Sequence, residues 1–349
     1  MIRAATCALV AAALGAGAPL QGQQPWLTAE TRVVHDDQPR TAAYIDAELG
    51  RFLRPDITLA VNAGGSRITA DAGAVRGRIA DETGYAGLTG TLSLPAARLG
   101  LRGSARALVG VPEAAGSAVT LLGRAIARIN AGADVAVQLR GERDRYSWTL
   151  ASLDTLVLVT TLELALDRAG APGWAGEAVA RRETYGDANV VSTAFGWVLV
   201  PMTRSVTHSL RAGYAAAWQD AEQSRWVPLL TPGPGDPATA GQFAPYHTPH
   251  RAVTHSALLD VALALGPAWL KVDGSIGVRA RDDAPVLVAA QTTGTTELHF
   301  YRRSFTPYRA GAALVFPADD RTAVTLGAGF NRLAHYRVGT LRLALARSL

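Results

Sequence analysis

From Ala252 to Leu265 the side chains alternate with a period of two. Val253, His255, Ala257, Leu259, Val261, Leu263 and Leu265 fall on one side; Thr254, Ser256, Leu258, Asp260, Ala262 and Ala264 fall on the other. Gly266-Pro267 turns the chain, and Leu270, Val272, Gly274, Ile276, Val278 and Ala280 then alternate with Trp269, Lys271, Asp273, Ser275, Gly277 and Arg279. One apolar face at this period is the signature of a β-strand, and two such runs about a tight turn make a β-hairpin. Each arm has roughly fourteen residues, longer than a usual soluble strand and long enough to cross a bilayer at a tilt.

The rest of the chain repeats this unit. Leu27–His35 and Ala43–Leu49 alternate around the turn residues Asp36-Asp37-Gln38-Pro39, and Ile57–Ala63 follows Arg54-Pro55-Asp56. Residues 64–83 are rich in Gly and Asp and carry no clear period. In the next hairpin Leu99, Leu101, Gly103, Ala105, Ala107 and Val109 oppose Arg98, Arg102 and Arg106; Val119, Leu121, Gly123, Ala125, Ala127 and Ile129 oppose Arg124 and Arg128. Arginines four apart would also align on a helix, but apolar residues at every second position stay on one face only in a strand. Asp134, Ala136, Gln138 and Arg140 oppose Val135, Val137 and Leu139, and Tyr146–Leu150, Thr155–Asp167 and Gly176–Thr184 follow less regularly. Further strands run through 191–199, 206–218, 308–316, 321–334 and from Val338, with the longest gap at 219–251.

A direct count gives about seventeen strands, but a closed barrel with both ends on one side needs an even number. Working back from the C-terminus makes the turns at 317–320, 266–267 and 202–204 periplasmic and the long connections at 282–296 and 219–251 external. Working forward from the N-terminus agrees up to about residue 130, so one boundary between Ala131 and Val190 is misplaced. The expectation is an all-β chain: a single transmembrane antiparallel β-barrel of about 16 strands (range about 14–18) over residues 25–349.

Composition agrees. Charged residues make up 18% of the chain, Gly contributes 35 residues, and no apolar run near twenty residues occurs beyond the N-terminus. Arg is spread along the chain and Lys271 is the only lysine, so no basic patch points to nucleic acid. Met1-Ile2-Arg3 and the Ala-rich run to Leu20 read as a secretory signal peptide, residues 1–24. Cys7, the only cysteine, leaves with it, so the mature chain carries no thiol chemistry.

No catalytic, metal or cofactor constellation emerges. His247, His250 and His255 are close in sequence without a supporting Cys; His255 and Asp260 have opposite parity; His208 and Asp220 would lie roughly 40 Å apart on one strand. Gly233-Pro234-Gly235 lacks the strand–helix context of a phosphate loop. The chain is read as a non-enzyme. Its informative feature is the polar face, where Arg98, Arg102, Arg106, Arg124, Arg128, Arg140, Arg211, Arg279 and Arg342 share a side with Glu30, Asp46, Glu48, Asp134, Asp260 and Asp273. A charge on the lipid face costs about 2–4 kcal/mol near the midplane, so these residues are expected to line the interior. They either fill and stiffen it as an Arg–carboxylate network or form a selectivity lining for saccharide or anionic solutes.

Phe243-Ala244-Pro245-Tyr246-His247-Thr248-Pro249-His250, which opens a strand after a long loop, resembles the Tyr-aromatic-Ser-Pro-Gln signature of exopolysaccharide-export barrels. These are the C-terminal barrel of the cellulose synthase outer-membrane subunit and its poly-N-acetylglucosamine counterpart. The match covers the last third of the chain and keeps Tyr246 and Pro249, with His247, Thr248 and His250 in place of the expected types. The resemblance implies a sixteen-strand barrel that passes polysaccharide outward, partnered by a polysaccharide synthesis and export complex. Outer-membrane lipid, lipopolysaccharide and the barrel-assembly machinery are the other expected partners, although the chain ends in Leu349 where such barrels usually end in Phe or Trp. The expectation is thus an outer-membrane channel. A sealed structural or adhesive barrel with 219–251 as its binding loop, and a soluble periplasmic β protein, are the alternatives.

Overall fold

The computed structural model describes residues 24–349 except 38–39, 72–77, 111–118, 133, 150, 170–172, 229–240, 290–295 and 335. The expected signal segment with Cys7, and Gly233-Pro234-Gly235, lie outside the described residues, save for Gln24.

The wall runs in chain order: β1 (Trp26–Asp36), β2 (Arg40–Arg54), β3 (Ile57–Asp71), β4 (Arg78–Leu94), β5 (Leu99–Val109), β6 (Val119–Asn130), β7 (Val135–Tyr146) and β8 (Val157–Ala169). It continues with β9 (Ala175–Tyr185), β10 (Val190–Arg204) and β11 (His208–Ala221), then a ribbon of β12 (Trp226–Pro228) and β13 (Gly241–Phe243) inside a connection. β14 (Ala252–Leu265), β15 (Ala268–Ala289), β16 (Thr296–Phe305), β17 (Tyr308–Asp319), β18 (Thr322–Arg332) and β19 (Arg337–Ser348) complete it. Each strand pairs antiparallel with its neighbour, and β19 pairs with β1 from Trp26↔Ser348 to Asp36↔Val338, closing the sheet.

The closed sheet holds seventeen segments, but β15 pairs with β17 over Trp269–Ile276 and with β16 over Ala280–Ala289. β16 and β17 are one strand broken at Thr306-Pro307, so seventeen segments give sixteen wall strands. The upper half of β15 with β16 is a two-stranded ribbon that continues past the wall, where the sequence pattern predicts only a loop from 282.

The surplus strand of the sequence count lies in β7. Gly141-Glu142-Arg143-Asp144-Arg145 reads as a charged connection between two strands, but it is continuous strand, paired with β8 up to Tyr146↔Val157. Likewise residues 64–71 and 78–83 are strand. Gly64 and Gly65 sit where a side chain would crowd the carbonyls of Ile45 and Thr83 and the Tyr85 ring, so the glycines there serve close packing and not a turn.

Along the membrane-facing stretch the strands keep one alternation, every second side chain facing out. Leu121, Leu341 and Ile45 are 73%, 63% and 61% exposed and belong to a continuous outward apolar band with Leu49, Val61, Leu88, Leu139, Leu164, Leu259, Ile276, Leu326 and Leu343. Such a band would be an aggregation surface in water and is matched by hydrocarbon. The short turns Pro55-Asp56, Pro95–Ala97, Ser205–Thr207, Gly266-Pro267 and Asp320-Arg321 gather on one rim, where Leu349 N–H also donates to Pro25 O. The described parts of the connections 147–156 and 222–251 and the β15–β16 ribbon gather on the other.

Candidate functional site

The inward face is built from ion pairs. On β5–β9, Arg106 meets Asp144 at 3.1 Å, Arg124 meets Glu142 at 2.6 Å, and Arg128 grips Asp167 with two nitrogens at 3.0 and 2.7 Å. Arg140 bonds Glu142 and lies 3.7 Å from Glu163, which Arg181 meets at 2.5 Å. These charges occupy neighbouring strands because parity aims every second residue inward and the register sets Arg124 opposite Glu142 and Arg140 opposite Glu163. The side chains of Arg140, Arg181, Glu142 and Glu163 are shielded from water, where charge-assisted and bidentate bonds are strongest. Arg102 reaches Glu48 of β2 at 3.8 Å.

The opposite wall repeats the device. Asp260 and Asp273 face each other across β14 and β15; Arg211 holds Asp260 at 2.8 Å and Arg309 holds Asp273 at 3.1 Å. At the seam Arg342 holds Glu30 at 2.9 Å. These inward arginines are each matched to a carboxylate, while inward Arg32 lies on a ring and Lys271 makes no ion pair among the described residues; the wall is rich in donors and acceptors without a large field of one sign. Arg309, Arg181, Glu142, Asp144, Glu163 and Asp167 were not singled out in the sequence, although the parity of β7, continued past Gly141, marks two of the acids, Glu142 and Asp144.

Three expected lining residues lie elsewhere. Arg98 caps the helical turn Pro95–Ala97 at the short-turn rim with a left-handed φ of 53° and stands exposed, because Pro95 ends β4 before the alternation resumes. Arg279 points outward. A β-bulge between His255 and Ser256 sets Ser256 opposite Gly277 but His255 opposite Arg279, so the parity of β15 flips at Val278. Asp134 lies in the β6–β7 turn and is exposed.

Aromatic side chains intersperse the charges. Trp26 Nε1–H donates to Glu48 at 3.4 Å, Arg32 lies 4.6 Å above the Tyr44 ring, and the Tyr85 hydroxyl donates to Asp46. On β10 Phe195 and Trp197 also turn inward, with Trp197 Nε1–H donating to Glu177 at 3.0 Å. The sequence leaves this open because both faces of β10 are apolar, and only pairing with β9 and β11 decides.

Two connections fold into the mouth on the long-loop rim. The β7–β8 connection carries a helical turn, Ala151–Asp154, whose Leu153 buries against Val34, Ala42, Ile68, Ala70 and Val338, about six strands round the wall from its own hairpin. Arg40 ties it down by donating to Ser147 O, and its guanidinium lies 4.7 Å over Trp148. The β11–β14 connection inserts Tyr246, 1% exposed, between inward residues of β7–β10. Its ring stacks on Tyr185 with centroids 3.6 Å apart and planes 7° apart. The Tyr246 hydroxyl donates to Asp187 at 2.7 Å and lies 3.3 Å from Arg225 Nε, which donates to Asp187 at 2.8 Å. The two connections meet where Thr149 Oγ1 donates to Pro245 O and His247 N–H donates to Tyr146 Oη at 3.1 Å. Partial burial works to raise Asp187, but hydrogen bonds from Tyr246, the Asn189 amide and Arg225 outweigh it and hold the carboxyl below its usual range.

The three histidines do not converge. His247 packs on Phe243 at 4.5 Å; His250 lies 4.4 Å from Phe300 and 3.4 Å from Asp220; His255 faces outward and bonds Tyr214. Among the described residues no group of His, Cys, Asp and Glu is placed to hold a metal.

A closed, even-stranded barrel with an apolar outer band, a charge-paired interior and infolded loops on one rim is a bacterial outer-membrane β-barrel. Among solved structures the chain is similar to a "bacterial polysaccharide outer membrane secretin", at 8% identity and a TM-score of 0.66, covering 93% of this chain and 98% of that one. It also aligns with CdiB from Acinetobacter baumannii (10% identity, TM-score 0.47, 93% of this chain and 60% of that). OccK5 of Pseudomonas aeruginosa aligns at 11% identity and TM-score 0.44, over 94% of this chain and 98% of that. At such identities the likeness concerns the fold. No protein-family model and no curated protein matches the sequence.

Proposed function

We propose that the barrel is an outer-membrane channel that passes saccharide chains, with its outward mouth narrowed by the β7–β8 and β11–β14 connections. The observation that carries this reading is the matching of most inward cations to carboxylates, with Arg32 on the Tyr44 ring and Lys271 as the exceptions among the described residues. A lining tuned for anions would leave Arg unpaired, whereas a neutral polyhydroxyl chain needs dense donors and acceptors with aromatic faces between them. Trp26, Tyr44, Tyr85, Phe195 and Trp197 supply those faces. Support comes from the likeness to a barrel described as a polysaccharide secretin and from Tyr246, one of the two residues shared with the export-barrel signature, which anchors the mouth loop. A synthesis and export complex on the periplasmic side, and the barrel-assembly machinery during insertion, are the partners this reading requires.

The test is planar-bilayer recording of the refolded barrel. A cation-to-anion permeability ratio near one is expected, with the current blocked by neutral linear oligosaccharides and not by anionic solutes of equal size. Strong anion selectivity would overturn the saccharide reading. An absence of conductance under all voltages would favour a sealed barrel, to which the burial of Leu153 against the far wall also lends itself.

A further inference from the structure

The outward face of β14–β19 differs from the rest of the wall at the long-loop rim. Four arginines project there: Arg279 opposite His255, Arg281 opposite Val253, and Arg332 directly opposite Arg337. Among the described residues none of these four makes an ion pair. Two acids in the same stretch are engaged elsewhere or through the backbone: Asp283 is held by Arg302 at 3.2 Å and Arg251 at 3.8 Å, and Asp37 accepts the Arg337 backbone N–H at 3.0 Å. Elsewhere near this rim outward arginines are paired, Arg67 with Glu82 and Arg182 with Glu222, or single among the described residues, as Arg143 is on β7. Arg332 lies 5.8 Å over the Tyr308 ring, and Tyr308 stacks on Phe330 at 5.6 Å. An outward aromatic pair at this level belongs to the interfacial girdle, the depth at which an outward Arg costs only about 0–1 kcal/mol.

Two hollows adjoin these cations. At the rim a polar pocket of about 190 Å³ lies among Arg332, Arg337, Asp37 and Thr306. On the lipid-facing wall below, an apolar groove of about 580 Å³ opens where Ala312 pairs with Ala328, walled by Leu270, Leu314, Leu326 and Leu341. Ala328 and Arg332 are four residues apart on β18, about 13 Å. An unmatched cationic rim over a dry groove is the complement of an amphiphile with an anionic head and an acyl tail.

We propose that this face is a specific site for one phosphorylated glycolipid of the outer leaflet. Its phosphate sits between Arg332 and Arg337, with Arg279 and Arg281 facing the rest of the head group, and one acyl chain lies in the Ala312–Ala328 groove. The proposal rests on the outer-membrane reading and not on whether the lumen conducts. Arg–phosphate bonds would be charge-assisted and strong at this depth, and small side chains in the groove let the tail approach the sheet.

The test uses the full barrel refolded free of lipid, with bis-phosphorylated lipid A as the probe and native mass spectrometry as the readout. The wild-type barrel is expected to retain about one lipid per chain. Arg332→Gln/Arg337→Gln should lower retention at least tenfold, Ala328→Leu, which fills the groove and leaves every charge in place, at least threefold, and Arg182→Gln, whose partner is Glu222, not at all. Dephosphorylated lipid A should bind at the level of the double variant, and free inorganic phosphate should not compete at millimolar concentration. Equal retention by wild type, the double variant and Ala328→Leu would overturn the site. So would displacement by inorganic phosphate, which would reduce it to an ion site. Gel mobility before and after heating reports folding separately. If the double variant does not fold, Ala328→Leu and the dephosphorylated lipid decide.

Discussion

Replacing Tyr246 tests the mouth most directly. Tyr246→Phe removes a hydroxyl that donates to the Asp187 carboxylate at 2.7 Å; a hydrogen bond to a charged group is worth about 1.5–3 kcal/mol. Tyr246→Ala also removes the ring stacked on Tyr185 at 3.6 Å, for a total of about 3–5 kcal/mol, the range for aromatic-to-Ala changes at buried sites. Every 1.4 kcal/mol is about a tenfold change in an equilibrium. The Phe variant should therefore raise the population with the loop lifted by about ten- to a hundredfold, and the Ala variant by more. Thr149–Pro245 and Tyr146–His247 still hold the neighbouring residues, so the loop loosens without the wall unfolding. In single-channel recordings the closed dwell time should shorten in the order wild type, Phe, Ala, and protease added outside should cut within 222–251 in the same order. If the Ala variant keeps wild-type traces and wild-type protease resistance, the connection does not control the permeation path and the argument fails.

Two further outcomes follow from the same geometry. Glu163→Gln strips the carboxylate shared by Arg140 and Arg181; breaking a buried pair costs about 3–5 kcal/mol, so the heat-induced gel shift should occur at lower temperature and reversal potentials should move toward anion preference. Asp187 sits below its usual value of 3.8, so its stabilisation of the clasp is complete above that value and is lost as pH falls through the lower native one. Protease resistance of the loop should hold from neutral pH down to about pH 4 and fall in stronger acid, and Asp187→Asn should abolish that pH dependence.

How much the sequence reveals depends on which force sets each feature. Leu259, Leu263, Val272 and Ile276 must face lipid, so their alternation is obligatory and the hairpin about Gly266-Pro267 reads directly. At Gly141–Arg145 the inward positions carry Glu142 and Asp144, whose partners lie on other strands, and the local composition therefore imitates a loop. Arg279 is misplaced because a bulge leaves no mark in a strand of Gly, Val and Arg. Leu153 and Tyr246 are buried mainly by contacts more than fifty residues away along the chain, beyond the reach of any periodic pattern. Only the export-barrel resemblance singled out Tyr246.

The seam between β1 and β19 bears on how the molecule comes to exist. Joining Trp26 to Ser348 closes a chain of more than three hundred residues, at an entropic cost of about 5 kcal/mol that the local hairpins do not incur. The ladder from Trp26 to Asp36 returns that cost only once the intervening strands stand in register. Until then β1 and β19 each present a bare edge, able to zip onto another chain as readily as onto each other. The order of events therefore matters as much as the final contacts: hairpins first, a curling sheet next, and a single late closing step that an edge-holding catalyst would speed and a competing strand would poison.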